Sequence, residues 1–207
     1  MSIPPTISFS RRKLPHWRVA GRPYFVTFRL KNTLPEHIVE DLKQKRKELK
    51  ERNATSEDII SFERASFIKI ESILDNLDND ICYLKLPAAA DIVMESFDFI
   101  QIKYKWYFPY IVVMPNHVHC LAAHQDYARC SLEQALGYIK SFSAKNINLI
   151  INNKGNIWET ENFDHWCRTP ESEENIKEYI RNNPVKAGLV KTPEEWKWLK
   201  IEEHTNK

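Results

Sequence analysis

An α+β fold, with helices packed on a mostly antiparallel sheet, is what this 207-residue sequence predicts. Three observations lead there. Short runs rich in β-branched and aromatic residues recur at 24–30, 106–114 and 117–122, and segments with helical spacing of apolar residues lie between and after them. The composition, 43% hydrophobic and 12% aromatic with only 4 glycines, suits one packed core and excludes collagen-like, low-complexity and mostly disordered classes.

Taken in order, Tyr24-Phe25-Val26-Thr27-Phe28-Arg29-Leu30 follows the turn-prone Gly21-Arg22-Pro23 and reads as the first strand. Thr33 offers an N-cap for a highly charged helix that carries Ile38, Leu42 and Leu49 to about Arg52. A second helix starts near Ser56, with Ile59, Ile60, Phe62, Phe67, Ile70, Ile73 and Leu74 forming an apolar stripe to about Leu77. Residues 33–80 thus read as an inserted, charged helical hairpin lying against the sheet. Beyond Pro87, Ile92, Val93, Phe97, Phe99 and Ile100 define a helix ending before Lys103. Trp106 to Met114 is strand-like, and His117 to Ala122 continues it past Pro115-Asn116 as a hairpin or one broken strand. Ser131 caps a helix from Leu132 to about Ile151. Thr169-Pro170-Glu171 and Thr192-Pro193-Glu194-Glu195 each set a capping hydroxyl before a proline at the first helical position. The first of these helices runs to Asn183 and is stopped by Pro184, which leaves 184–207 as a C-terminal tail. With no internal repeat, 1–207 reads as a single domain.

The net charge of +2 is unevenly spread: residues 1–52 hold 13 Lys and Arg against 5 Asp and Glu, and the rest of the chain 17 against 23. Within a basic N-terminal arm, residues 1–22, Arg11, Arg12, Lys13, Arg18 and Arg22 interleave with His16 and Trp17, a composition suited to phosphate contact and base stacking. No apolar run approaches the roughly 18 residues of a membrane helix. Met1-Ser2-Ile3-Pro4-Pro5 also lacks the order of a secretory signal, so the expectation is a cytoplasmic protein without a membrane partner. Cys82, Cys120, Cys130 and Cys167 form no C-x-x-C pair and read as reduced thiols.

Met114-Pro115-Asn116-His117-Val118-His119 is the most informative stretch. Side chains alternate along a strand, so His117 and His119 share one face while Val118 enters the opposite layer. Two imidazoles so placed can bind one metal; a pair of hydrogen-bonded histidines fits the same pattern.

In its wider context this stretch resembles the HUH single-tyrosine transposases, in particular their REP-associated tyrosine transposase branch. The resemblance spans almost the whole chain. It rests on Arg11-Arg12-Lys13-Leu14-Pro15-His16-Trp17, the first strand, the M-P-N-H-V-H string, Lys140-Ser141-Phe142-Ser143-Ala144-Lys145, Ile157-Trp158-Glu159, Phe163-Asp164-His165 and Tyr179-Ile180-Arg181-Asn182-Asn183-Pro184-Val185-Lys186-Ala187-Gly188-Leu189. It implies a ferredoxin-like or RRM-like core with the histidine pair on a central strand, action on single-stranded or hairpin DNA, and a divalent metal, magnesium or manganese. The histidines and a polar residue from a downstream helix hold that metal, and a tyrosine on the same helix attacks the phosphodiester. Family members occur as monomers and as homodimers that exchange their tyrosine helices.

Asn148, ten residues before Trp158, matches the polar ligand, with Asn146 as its substitute. The nucleophile departs from the pattern: where a tyrosine is expected about one turn before the asparagine, the chain reads Phe142-Ser143-Ala144. Tyr138, one turn earlier and the only tyrosine in that helix, is the candidate nucleophile. Without it, the resemblance implies a catalytically inactive DNA-binding module of the same fold, or a metal-dependent nuclease that uses water.

Replacing Arg11, Arg12 and Lys13 by alanine is expected to weaken DNA binding and to flatten its salt dependence by about one unit of slope for each phosphate no longer neutralised. Affinity measured across a salt series checks this, and an unchanged slope removes the arm from the interface.

Overall fold

The structure, a computed structural model, describes residues 6–11, 15–19, 21–76, 81–123 and 128–202, the first two segments as backbone only. β1 (Thr6–Arg11) and β2 (Pro15–Val19) pair as an antiparallel hairpin. The chain continues through β3 (Tyr24–Arg29), α1 (Glu36–Glu51), α2 (Ser56–Leu74), α3 (Pro87–Tyr104), β4 (Tyr107–Val113), β5 (His117–Ala123), α4 (Leu132–Ile150), β6 (Phe163–Trp166), α5 (Pro170–Lys186) and β7 (Leu199–Ile201). Five strands make one antiparallel sheet in the order β6-β3-β5-β4-β7, so the histidine-bearing β5 is its central strand.

The helix ends follow local chemistry. Thr55 and Asp58 close a reciprocal capping box at α2, and Ser131 and Gln134 do the same at α4. Thr169 accepts from the Ser172 N–H at 3.0 Å, with Pro170 at the first helical position of α5. Thr33 caps no helix: its hydroxyl donates to the Leu30 carbonyl at 2.8 Å at the end of β3, and Pro35 precedes α1 instead. Pro184 does not stop α5, which runs on to Lys186. A proline in the last turn forfeits one backbone bond, and the helix ends where Gly188 takes a positive φ of 69°.

Both faces of the sheet are covered, where the sequence suggested helices on one. On one side Tyr24, Val26, Phe28, Val118, Cys120 and Ile111 pack with α3 and α4 through Val93, Phe97, Ala135, Leu136 and Ile139. Phe25, Tyr110, Val112 and Leu121 point the other way, toward Ile176 and Ile180 of α5 and Phe67 of α2. The Thr192-Pro193 signal yields a single 3-10 turn rather than a helix, and the segment expected to be a tail supplies β7, which pairs with β4 at the sheet edge. β6, too short and mixed to show a period, pairs with β3 at the opposite edge. The β1–β2 hairpin occupies what the sequence presented as a basic arm. Among the described residues no helix is long and apolar enough to cross a membrane.

Phe28 is fully buried against Phe97 and Trp158. Phe28→Ala is expected to cost about 3–5 kcal/mol, whereas Ile102→Ala, 73% exposed on α3, stays within about 0.5 kcal/mol. Denaturant unfolding of the two variants checks the contrast.

Candidate functional site

In the β3–β5 register Thr27 lies opposite His119 and Arg29 opposite His117, while Val112 of β4 flanks His119 on the other side. Both imidazoles are fully buried, and their Nε2 atoms lie 2.9 Å apart. Each ring is oriented through its other nitrogen. Asn116 donates through Nδ2 to the Leu74 carbonyl at 3.0 Å, which leaves its Oδ1 to accept from His117 Nδ1 at 2.6 Å. That bond sets the proton of neutral His117 on Nδ1 and leaves Nε2 with its lone pair. His119 Nδ1 meets the Thr27 hydroxyl at 2.8 Å, and its ring stacks on Phe25.

Two helices close over the pair. Glu71 of α2 brings Oε2 to 3.1 Å from His119 Nε2, and the ligand atoms of Glu71, His117 and His119 all lie within 4.8 Å of one another. From α5, Tyr179 sets its ring 5.3 Å from that of His119 and donates its hydroxyl hydrogen to Glu71 Oε2. Asn183 follows one turn later, fully buried. Its amide is close enough to the phenol to favour the ionised form, yet neither of its polar atoms makes a well-formed hydrogen bond. Glu71 Oε1 is likewise buried without a partner.

The electrostatics are those of a closed polar layer. Burial, then the adjoining His119, lowers the His117 imidazole to about 3. Burial alone would push the Glu71 carboxyl up, but His119, His117 and the Tyr179 hydroxyl outweigh it and hold Glu71 at about 2. Burial and the Glu71 charge push the Tyr179 phenol up, so it stays protonated.

This donor set fits a divalent cation: two imidazole nitrogens on rings held by Asn116 and Thr27, one carboxylate, and two orphaned buried groups in Glu71 Oε1 and the Asn183 amide. The carboxylate adds the hard oxygen that magnesium or manganese prefers.

The residues singled out from the sequence divide accordingly. His117 and His119 come together. Tyr138 and Asn148 do not join them, because α4 packs on the face of the sheet that carries Val118 and Cys120. Tyr138 is 44% exposed and stacks on Tyr104 with ring centroids 4.9 Å apart. Asn148 donates to the Gly155 carbonyl and ties down the turn after α4. Within the window that lacks a tyrosine, Ser143 is a packing residue that accepts from Trp158 Nε1 at 2.9 Å. Arg22 lines a cleft of about 530 Å³ with Tyr107, Tyr110 and Lys177, beside the N-terminal turns of α5. Arg12 and Lys13 lie outside the described residues, as do the side chains of Arg11 and Arg18.

Sequence reasoning missed Tyr179, Asn183 and Glu71. Tyr179 and Asn183 show the tyrosine-then-asparagine spacing of one turn that the sequence does not offer in α4. Glu71, four residues after Phe67 and three before Leu74, is a carboxylate on an apolar helix stripe, which is itself a signal.

Residues 87–183, from the start of α3 through both histidines and Tyr179 to Asn183, match the family model described as transposase IS200-like. Over this segment the chain is similar to the IS200-like transposases. It is therefore transposase-like, and Glu71 lies outside the family segment. Among solved structures, a REP-associated tyrosine transposase bound to a REP hairpin is 17% identical, with a TM-score of 0.52 over 93% of this chain and 82% of that one, a likeness of fold. A protein assigned as a transposase from Deinococcus radiodurans is 14% identical, with a TM-score of 0.35 over 84% of this chain and 96% of that one. No curated protein matches the chain.

A depressed His117 makes stability depend on pH. Unfolded, its imidazole takes up a proton near 6.5; folded, it declines one until about 3. The stability this represents is complete above the unfolded value and lost as the pH falls, by about 2 kcal/mol between pH 7 and pH 5. Glu71, held at about 2 against 4.5 when unfolded, adds its own loss below about pH 4.5. Denaturant melts across this range check the slope; His117→Asn lowers it by about half above pH 5, because burial also lowers His165 to about 4, and a flat wild-type curve contradicts the assignment.

Proposed function

We propose that this protein cleaves and rejoins single-stranded or hairpin DNA through a covalent phosphotyrosine at Tyr179. One observation carries the reading: the Tyr179 hydroxyl, Glu71, His119 and His117 form one continuous chain of contacts on a single face of the sheet. The family match and a neighbour of the same fold that binds a REP hairpin support DNA as the partner and a hairpin as its form.

His117, His119 and Glu71 would hold a divalent cation, magnesium or manganese, with the Asn183 amide as a further oxygen ligand. Bound there, the cation would supply Lewis-acid polarisation of the scissile phosphate. The chain's own residues do the rest. Thr27 and Asn116 keep the two rings turned toward each other. The phenol, neutral because it is buried beside a carboxylate, must lose its proton as it attacks, and the Glu71 oxygen that already accepts its hydrogen bond is placed to take it. As the Tyr179 oxygen bonds to phosphorus, the bond to the 3′ oxygen breaks. That oxygen takes a proton from water and leaves as a hydroxyl, while the 5′ phosphate remains on the tyrosine. The reverse attack by a 3′ hydroxyl rejoins the strand, and the ester conserves the bond. Tyr179 meets the His119 of its own chain.

Tyr179→Phe removes one oxygen. It is expected to abolish the covalent adduct formed with a labelled hairpin oligonucleotide and manganese while leaving hairpin affinity within about twofold. Tyr138→Phe should form adduct at the wild-type rate, and His119→Ala none. Adduct formation by Tyr179→Phe would overturn the assignment. Hairpin binding by the wild type with no adduct under either metal would establish the inactive DNA-binding module instead.

A further inference from the structure

Lys186 closes α5 seven residues, or two turns, after Tyr179, beyond the family segment. Its Nζ lies 5.7 Å from the centroid of the Tyr179 ring and 2.6 Å from Asp75 Oδ2. Asp75 follows Glu71 by four residues, so α2 and α5 meet through two adjacent contacts, Glu71 with Tyr179 and Asp75 with Lys186. The two partners of the second contact differ in setting: the Asp75 side chain is 14% exposed and that of Lys186 55%. A largely buried carboxylate thus holds a half-exposed ammonium beside Tyr179. The ammonium charge also reaches the buried His117, where it disfavours protonation. Among the described residues, Arg29 is engaged with Glu159 and Thr33, and Lys177 with Glu173 and Glu174.

An ammonium has three N–H donors, and Asp75 engages one. A phosphodiester attacked by the Tyr179 oxygen would carry its non-bridging oxygens close to that phenol, whose ring centroid is 5.7 Å from the Lys186 Nζ. Resting on the reading of Tyr179 as nucleophile, we propose that Lys186 is a catalytic residue that binds a non-bridging oxygen of the scissile DNA phosphodiester. Lys186 makes no covalent bond and gives up no proton. It offsets charge on the phosphate oxygens while the bonds at phosphorus exchange, and it adds one phosphate contact to hairpin binding.

The full chain, a hairpin oligonucleotide with a single-stranded flank and manganese test this. Lys186→Ala is expected to slow single-turnover adduct formation about 100-fold, with Lys186→Arg within about tenfold of wild type. Lys186→Ala should also lower the salt slope of hairpin binding by about one unit. Asp75→Asn keeps the ammonium and breaks the ion pair, so a phosphate-binding lysine leaves its rate within about threefold of wild type. If Asp75→Asn is as slow as Lys186→Ala, Lys186 is a clamp between helices and the proposal is overturned. A Lys186→Ala variant with wild-type rate and slope overturns it as well. Should the wild type form no adduct, the nucleophile reading fails by itself. The salt slope, measured on uncleaved hairpin, still decides Lys186, and an unchanged slope rejects it.

Discussion

Asn116 sits where three parts of the chain meet. Its side chain accepts from His117 and donates to the Leu74 carbonyl at the end of α2, and its backbone carbonyl takes the N–H of Leu30 at the end of β3. The residue is fully buried, so each of these groups would be costly to leave unpaired, by about 1–3 kcal/mol apiece. One amide therefore fixes the tautomer of a ring, the seating of the inserted helix and the closing of a strand. The remainder of the site is built outward from it. With His117 oriented, its Nε2 can face only His119, and with α2 seated, Glu71 reaches the pair from above.

The two faces of the sheet divide the labour. Against α3 and α4 the contacts are apolar and aromatic, and nothing titratable from β5 points there except the Cys120 thiol, which burial keeps protonated. Against α2 and α5 the sheet presents Thr27, His117 and His119 among aromatic rings, with Phe25 meeting Phe67, His119, His165 and Tyr179 at centroid distances of 5.4–5.8 Å. Aromatic packing there holds a polar layer rigid without competing for its hydrogen bonds. The inserted hairpin takes part in this layer: Arg46 and Glu63 brace α1 against α2 through two 3.1 Å contacts, and α2 in turn carries the carboxylate.

What could be read from the sequence follows the physics of each signal. Periodicity located β3, β4, β5 and the helices, because those segments bury one face or both, and the alternation along His117-Val118-His119 placed the imidazoles together. β6 and β7 carry no period that four or three residues could display; pairing with a neighbour makes them strands. Pro193 promised a helix that the following Trp196 overrides: its indole donates to the Val113 carbonyl at 3.0 Å and draws the segment onto β4. Tyr138 drew attention through proximity in sequence to the expected asparagine, yet it lies across the sheet from the histidines, stacked on Tyr104. Which face of the sheet a helix covers is a tertiary property, and it separates α4 from the histidines while bringing Tyr179 of α5, sixty residues after His119, into contact.

The alternation along β5 has a consequence for folding. A slip of one residue against β3 and β4 would turn both imidazoles into the apolar layer beneath α3 and α4 and drive Val118 and Cys120 toward Glu71. Such a misregistered sheet would bury two polar rings without partners and strand a carboxylate in a dry wall. Each error costs several kcal/mol at the order of magnitude typical for unpaired buried groups. The buried polar residues of β5 thus penalise the nearest wrong pairing of the central strand, and a chain that reaches the correct register has assembled its candidate centre in the same event.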